Sequence, residues 1–385
     1  MTKPRFNLVG LFTGALLAGA WLTVVLSAAP AGRPAAQAAK GQPAARDGKA
    51  LYETACQSCH GPDGRGMPQT TLGFDIAVPD FTDCSFATPE PDADWAAVIL
   101  HGGPIRAFDR RMPAFTGALS EEDVRLILGY VRGMCADAAW PPGELNLPRP
   151  LRTEKAFPEN EAVLTTSFDT TGENRLSNVF LYERRIGSRS QWEVKVPVDV
   201  AGHETLGWQR GLGDVSFGFK RVLAHSGARG SIVSAGGEVI FPTGKEDRGL
   251  GRGTTVFEPF VVYGQILPRD SFVQTHAALE LAADTAHASH EALWRVAAGR
   301  TFTQNGGVGR AWSPMLEVLA VRELESGAPV KWDLVPQMQV TVNTRQHIML
   351  NGGVQFPLNE RRGRGTRVMF YLLWDWWDGG LFDGW

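Results

Sequence analysis

From residue 161 onward, apolar and polar residues alternate one by one. In "QWEVKVPV", Trp192, Val194, Val196 and Val198 alternate with Gln, Glu, Lys and Pro. In "DVSFGF" the apolar set is Val215, Phe217 and Phe219. In "QMQVTV" it is Met338, Val340 and Val342 against Gln, Gln and Thr. A period of two puts one class of residue on each face of a β-strand. Such runs predict about twelve strands, near 161–169, 175–186, 190–200, 211–224, 228–241, 254–265, 271–283, 292–303, 310–323, 330–341, 345–356 and 366–377. Turn-forming stretches such as "FPTGKEDRGLGRGT", "QNGGVGR", "ESGAP" and "NERRGRGT" separate them. No helix is expected after residue 160.

Residues 46–135 follow a helical period instead. "SEEDVRLILGYVRGMC" opens on Ser120, an N-cap residue, followed by Glu121, Glu122 and Asp123 in the first turn, where acid complements the helix dipole. Val124, Ile127, Leu128 and Val131 then recur at helical spacing. "DGKALYETAC" carries a second, shorter helix. Between the helical and strand regions lies "AWPPGELNLPRPLRTEKAFPEN". Five prolines there exclude a helix or a central strand, so residues 136–160 read as a semi-rigid linker.

The N-terminus opens with Lys3 and Arg5 ahead of the uncharged run "LVGLFTGALLAGAWLTVVLSAAPAG". This is the layout of an export signal, occupying residues 1–38 with a small-residue cleavage site at Ala36-Gln37-Ala38. The run also reaches the ~20 residues of a membrane span, so an uncleaved anchor is the rival reading. Residues 39–45 are a spacer. Both readings export the rest of the chain to an oxidising space. The formal charge of −3 gives no field of the kind that recruits nucleic acid.

Cys56-Gln57-Ser58-Cys59-His60 has the spacing of a c-type haem attachment site. Two thiols would bond the porphyrin covalently, and His60 would ligate iron from one side. A zinc site would need a second ligand pair of similar spacing, and none follows. A sixth ligand must come from the other face. Met112, in "RRMPAFTG", is the leading candidate, because a thioether favours ferrous iron. Met67 and His101 are the competitors.

Residues 46–135 resemble the class I cytochrome c family. The resemblance rests on Gly48 and Tyr52, on Cys56, Cys59, His60 and Gly61, on the Gly64/Gly66 turn, on "MPAF", and on the last helix with Tyr130. It implies a small all-α domain around one haem c per chain, axial ligation by His60 and Met112, and first and last helices crossing at Gly48. Cys84 and Cys135 are extra to that pattern. In an oxidising space they are expected to pair, closing a loop worth roughly 3–4 kcal/mol in the chain-entropy model.

Residues 161–385 offer two solutions, a soluble barrel or sandwich and an outer-membrane barrel. The even strand count, the polar faces and the tryptophans at Trp374, Trp376, Trp377 and Trp385 point to the membrane. "GLGDVSFGFKRVL" and "GGEVIFPTGKEDRGLGRGT" resemble a family of outer-membrane transport barrels of the phenol meta-pathway type. That resemblance implies fold and location more than cargo.

The expected fold is therefore multidomain, an all-α cytochrome domain followed by an antiparallel barrel. "HASH" at His287–His290, with Asp284 and Glu291, could bind a metal but reads more simply as a polar loop. Glycines near Gly249, Gly306 and Gly363 lack the following helix of a phosphate loop and read as hairpin turns. No catalytic residues are assigned. The expected function is electron transfer, with periplasmic redox proteins and outer-membrane lipid as partners. The alternatives are a channel for a small solute with an accessory cytochrome, and a redox enzyme with a soluble β domain.

Overall fold

A computed structural model describes residues 47–106, 108–170, 174–203, 205–304, 308–342 and 348–375. The expected export signal and spacer, the expected turn at Gly306, and Trp376, Trp377 and Trp385 lie outside the described residues.

The first region is helical. α1 (Gly48–Ala55) starts at Asp47, whose carboxylate accepts from Lys49 N. Short helices α2 (Gln57–His60), α3 (Gln69–Leu72) and α4 (Cys84–Ala87) follow, then α5 (Asp92–His101) and α6 (Glu121–Arg132). Ser120 and Asp123 form a reciprocal capping box at the start of α6, which satisfies two N–H groups the helix leaves open. Val124, Ile127, Leu128 and Val131 on α6 pack with Tyr52, Phe81 and Ile99. α1 and α6 cross at Gly48. A Cβ there would lie 2.1 Å from the carbonyl oxygen of Leu126 and 3.3 Å from Tyr130 Cβ, so only glycine allows the approach. A disulfide joins Cys84 and Cys135, with Cα atoms 5.2 Å apart.

Among the described residues, twelve long antiparallel strands form the barrel wall: β1 (Glu161–Asp169), β2 (Arg175–Ile186), β3 (Ser190–His203), β4 (Ser216–Ser226), β5 (Ser231–Ile240), β6 (Val256–Leu267), β7 (Ser271–Ala282), β8 (Glu291–Arg300), β9 (Ala311–Glu323), β10 (Lys331–Thr341), β11 (Ile348–Pro357) and β12 (Arg367–Asp375). Neighbours in sequence pair, and β1 pairs with β12 from Glu161↔Asp375 to Asp169↔Arg367, closing the barrel. The expected strand at 211–224 begins only at Ser216. The residues before it form a short strand, Gly207–Leu212, that folds back on the overhanging end of β3.

The apolar face of the barrel points outward. Along β12, Val368, Phe370 and Leu372 are exposed, whereas Met369, Tyr371, Leu373 and Asp375 are buried. Along β10, Met338 is exposed between buried Gln337 and Gln339. A water-soluble barrel would show the reverse. Apolar outside and polar inside is what hydrocarbon around the barrel requires. The turns at 187–189, 227–230 and 268–270 lie at the end where β1 begins and β12 finishes. Longer loops, such as 241–255 and 358–366, lie at the other.

The proline-rich segment before β1 runs inside this barrel. Leu145 and Phe157 pack against inward residues Val222, Ile232, Phe260 and Leu293, and Leu151 against Val163, Tyr371 and Val335. An irregular segment buried this way must find partners for its main-chain groups. Inward polar side chains supply them. Gln337 Oε1 accepts from Leu151 N (3.0 Å), Glu317 Oε2 from Thr153 N (2.7 Å) and Gln191 Oε1 from Glu159 N (2.7 Å). Gln274 donates to Pro148 O (2.8 Å), Arg295 to Arg152 O (2.7 Å), Lys220 to Lys155 O (2.6 Å) and Ser234 to Ala156 O (2.6 Å). Pro148, Pro150 and Pro158 have no N–H to satisfy, which makes them inexpensive residues to bury in a lumen. Residues 145–157 therefore fill the barrel at mid-depth, in addition to joining the two parts of the chain.

Candidate haem site

The helical region encloses an apolar cavity. α1 and α2 supply Tyr52, Cys56, Cys59 and His60 to its wall; α5 supplies Trp95, Val98 and Ile99; α6 supplies Ile127, Leu128 and Val131; and the loop between α5 and α6 supplies Arg106, Met112 and Phe115. Met67 and His101 do not line it. Of the three candidates for the sixth ligand, the chain brings only Met112 to the cavity that holds His60.

The two thiols sit at a helix junction. Cys56 ends α1, its N–H donating to Tyr52 O (2.8 Å), and Cys59 and His60 lie on the short turn that follows. Neither thiol is in a disulfide, whereas Cys84 and Cys135 are paired. Burial, then the neighbouring Cys59, pushes the Cys56 thiol up to about 11, so it is held neutral. Tyr52 is fully buried and donates to Gly61 O (2.7 Å), fixing the turn just beyond His60.

His60 stacks on Phe81, with ring centroids 4.6 Å apart. Burial lowers its pKa to about 4, so the imidazole is neutral and carries a lone pair for a metal across the physiological range. Its Nδ1 is buried and has no hydrogen-bond partner. Two free thiols, a neutral buried imidazole and a thioether, all on the wall of one apolar cavity, fit a covalently attached haem with two axial ligands.

One feature of the wall is not signalled by any motif. Arg106 and Asp94 form a buried ion pair (Nη2 to Oδ1, 2.8 Å), and Arg106 Nη1 also reaches Val308 O (3.3 Å) on a turn of the barrel. Nothing in the sequence couples positions 106 and 308. The "HASH" residues make polar-loop contacts. His287 Nδ1 lies 2.8 Å from Glu246 Oε1, and His290 Nδ1 accepts from Ala282 N (3.1 Å). Neither belongs to a group of potential metal ligands among the described residues.

Residues 43–131 match the family described as cytochrome c oxidase, cbb3-type, subunit III. Among curated proteins, none matches the chain. Solved structures similar to the barrel include the COG4313 outer membrane channel from Pseudomonas putida F1, at 14% identity and a TM-score of 0.43, covering 60% of this chain and 100% of that one. The KdgM porin is similar at 8% identity and a TM-score of 0.39, covering 56% of this chain and 99% of that one. The chain thus carries a cytochrome c domain at residues 43–131, followed by a closed twelve-stranded barrel of the outer-membrane type.

Proposed function

We propose that the protein carries electrons through one covalently bound haem c, ligated by His60 and Met112, and that its barrel tethers this domain at the periplasmic side of the outer membrane. When bound, the haem supplies a one-electron ferric/ferrous couple. Cys56 and Cys59 would hold it by thioether bonds. His60 would give its lone pair from the proximal side, and Met112 its softer sulfur from the distal side. Were His60 and Met112 both to hold the iron, no site on it would be left for a substrate, which favours a carrier over a catalyst. The observation that carries it is the shared cavity wall: Met112 lies on it with both thiols and His60, and Met67 and His101 do not.

The tether follows from topology. With an even number of strands, both barrel termini emerge on the side of the short turns, which in such barrels is the periplasmic side. The helical domain is joined to β1 through the lumen segment and would meet periplasmic redox proteins on that side. The solute-channel alternative is disfavoured because residues 145–157 fill the lumen. Optical and electron paramagnetic resonance spectra of the purified ferric protein test the ligation. They should show a low-spin haem with the near-infrared band of thioether coordination. Met112→Ala should abolish that band and lower the reduction potential while leaving one haem per chain. A band retained in Met112→Ala would remove Met112 from the account.

A further inference from the structure

Two trios of carboxylates are buried inside the barrel, near the end where β1 begins. In each, one oxygen of every residue lies within 4.8 Å of the others. The first trio, Glu154, Glu183 and Glu193, is fully answered. Lys220 Nζ lies 2.9 Å from Glu154, Arg149 Nη1 2.8 Å from Glu183 and Lys195 Nζ 3.0 Å from Glu193, while Gln191 donates to Glu183 (2.8 Å) and Glu193 (3.2 Å).

The second trio, Glu159, Glu161 and Asp375, is at least as deeply buried, at 1%, 1% and 3% exposure. Its charge is only partly met. Lys155 pairs with Glu159, and Arg149 pairs with Glu161 but is shared with Glu183. Arg185 is nearby, stacked over Trp140 and Phe157, and makes no ion pair with the trio. Glu161 Oε2 and Asp375 Oδ1 are buried with no hydrogen-bond partner. Among the described residues, no lysine or arginine forms an ion pair with Asp375; Lys155, already paired with Glu159, is the cation in its surroundings, and Glu90 adds a further negative charge there. A buried carboxylate left this way is costly unless a proton or a cation joins it.

We propose that Glu159, Glu161 and Asp375 bind a divalent cation of the calcium type. Calcium takes carboxylate oxygens in irregular geometry, whereas magnesium demands a regular octahedron and retains waters. The placement gives the ion a structural task. Glu161 and Asp375 face each other across the pairing of β1 with β12 that closes the barrel. Glu159 lies just after the segment that fills the lumen, two residues before Glu161. One ion would pin that segment to the seam. The site does not depend on the haem reading.

Full-length, haem-loaded protein in detergent, stripped with chelator and dialysed against radioactive calcium near neutral pH, tests this. The wild type should bind one calcium per chain at this site, and calcium should raise the temperature at which the barrel loses its compact mobility on gels. Asp375→Asn and Glu159→Gln should each weaken binding by about tenfold or more, while Glu193→Gln, in the answered trio, should retain it. The compact gel mobility and the haem spectrum of each variant confirm that it has folded. Failure of the wild type to bind calcium at millimolar concentration would overturn the site, leaving a shared proton as the charge compensation. Unweakened binding in folded Asp375→Asn would also overturn it.

Discussion

The hydroxyl of Tyr371, on the last strand of the barrel, donates a 2.7 Å hydrogen bond to the main-chain carbonyl of Arg149, in the segment that leads from the helical domain to the first strand. The side chain of Arg149 is held as well, by Glu161 and by Glu183 (2.8 Å). The connection between the two parts of the chain is thus anchored inside the barrel by both its main chain and its charge. Arg149→Ala would leave two buried carboxylates without their cation, a change that costs on the order of 3–5 kcal/mol. The expected outcome is a lower temperature for loss of compact gel mobility, with the haem spectrum unchanged. An unshifted transition would show that the segment does not brace the barrel.

Gly48 makes a separate demand. A Cβ at this position would sit 2.1 Å from Leu126 O, against main chain that cannot rotate away. Gly48→Val should separate α1 from α6, at a cost of at least about 1–3 kcal/mol. Haem content per chain and urea unfolding followed at the haem absorption band should both fall. The thermal transition of the barrel should not move.

The disulfide between Cys84 and Cys135 spans 51 positions. In the chain-entropy model a loop of this size is worth about 4 kcal/mol. Replacing both cysteines by serine should lower the urea midpoint of the helical domain by the corresponding amount. Reductant should lower the wild-type midpoint and leave the double variant unchanged.

His287 and Glu246 join two loops at the end of the barrel opposite the helical domain. The hydrogen bond that His287 donates to the Glu246 carboxylate, and then the charge of Glu246, raise the His287 pKa above its usual value of 6.5. A raised histidine stabilises the folded loops below pH 6.5, and that contribution is lost as pH rises through the raised pKa. Both side chains are exposed, so the effect should be small and screened by salt. Titration of His287 by NMR should give a pKa above that of Glu246→Gln. Identical titrations would show that the pair does not form in solution.

Much of this architecture is written in local pattern. The alternation at Gln337-Met338-Gln339 marks a strand and, once the apolar residue is known to face out, a membrane barrel. The Cys56–His60 spacing marks a cytochrome c domain, and Gly48 marks a helix crossing. The lumen segment was legible only in part. Five prolines ruled out regular structure between 136 and 160, but burial of that segment depends on Glu317, Gln337 and Tyr371, which are far away in sequence. The same inward polar residues look like the lining of a water-filled channel when read alone. In the fold they serve as donors and acceptors for the main chain of residues 148–159. Arg106 was illegible for the same reason, since its partners at Asp94 and Val308 come together only by folding.

The most direct test of the account is separation of inner and outer membranes from cells producing the full chain, followed by haem staining of denaturing gels. Haem should stay with the polypeptide after denaturation, fractionate with the outer membrane and resist salt extraction. Cys56→Ala/Cys59→Ala should abolish the stain while the barrel remains in the membrane. Stain lost on denaturation of the wild type, or a haem-bearing chain released as soluble protein, would contradict it.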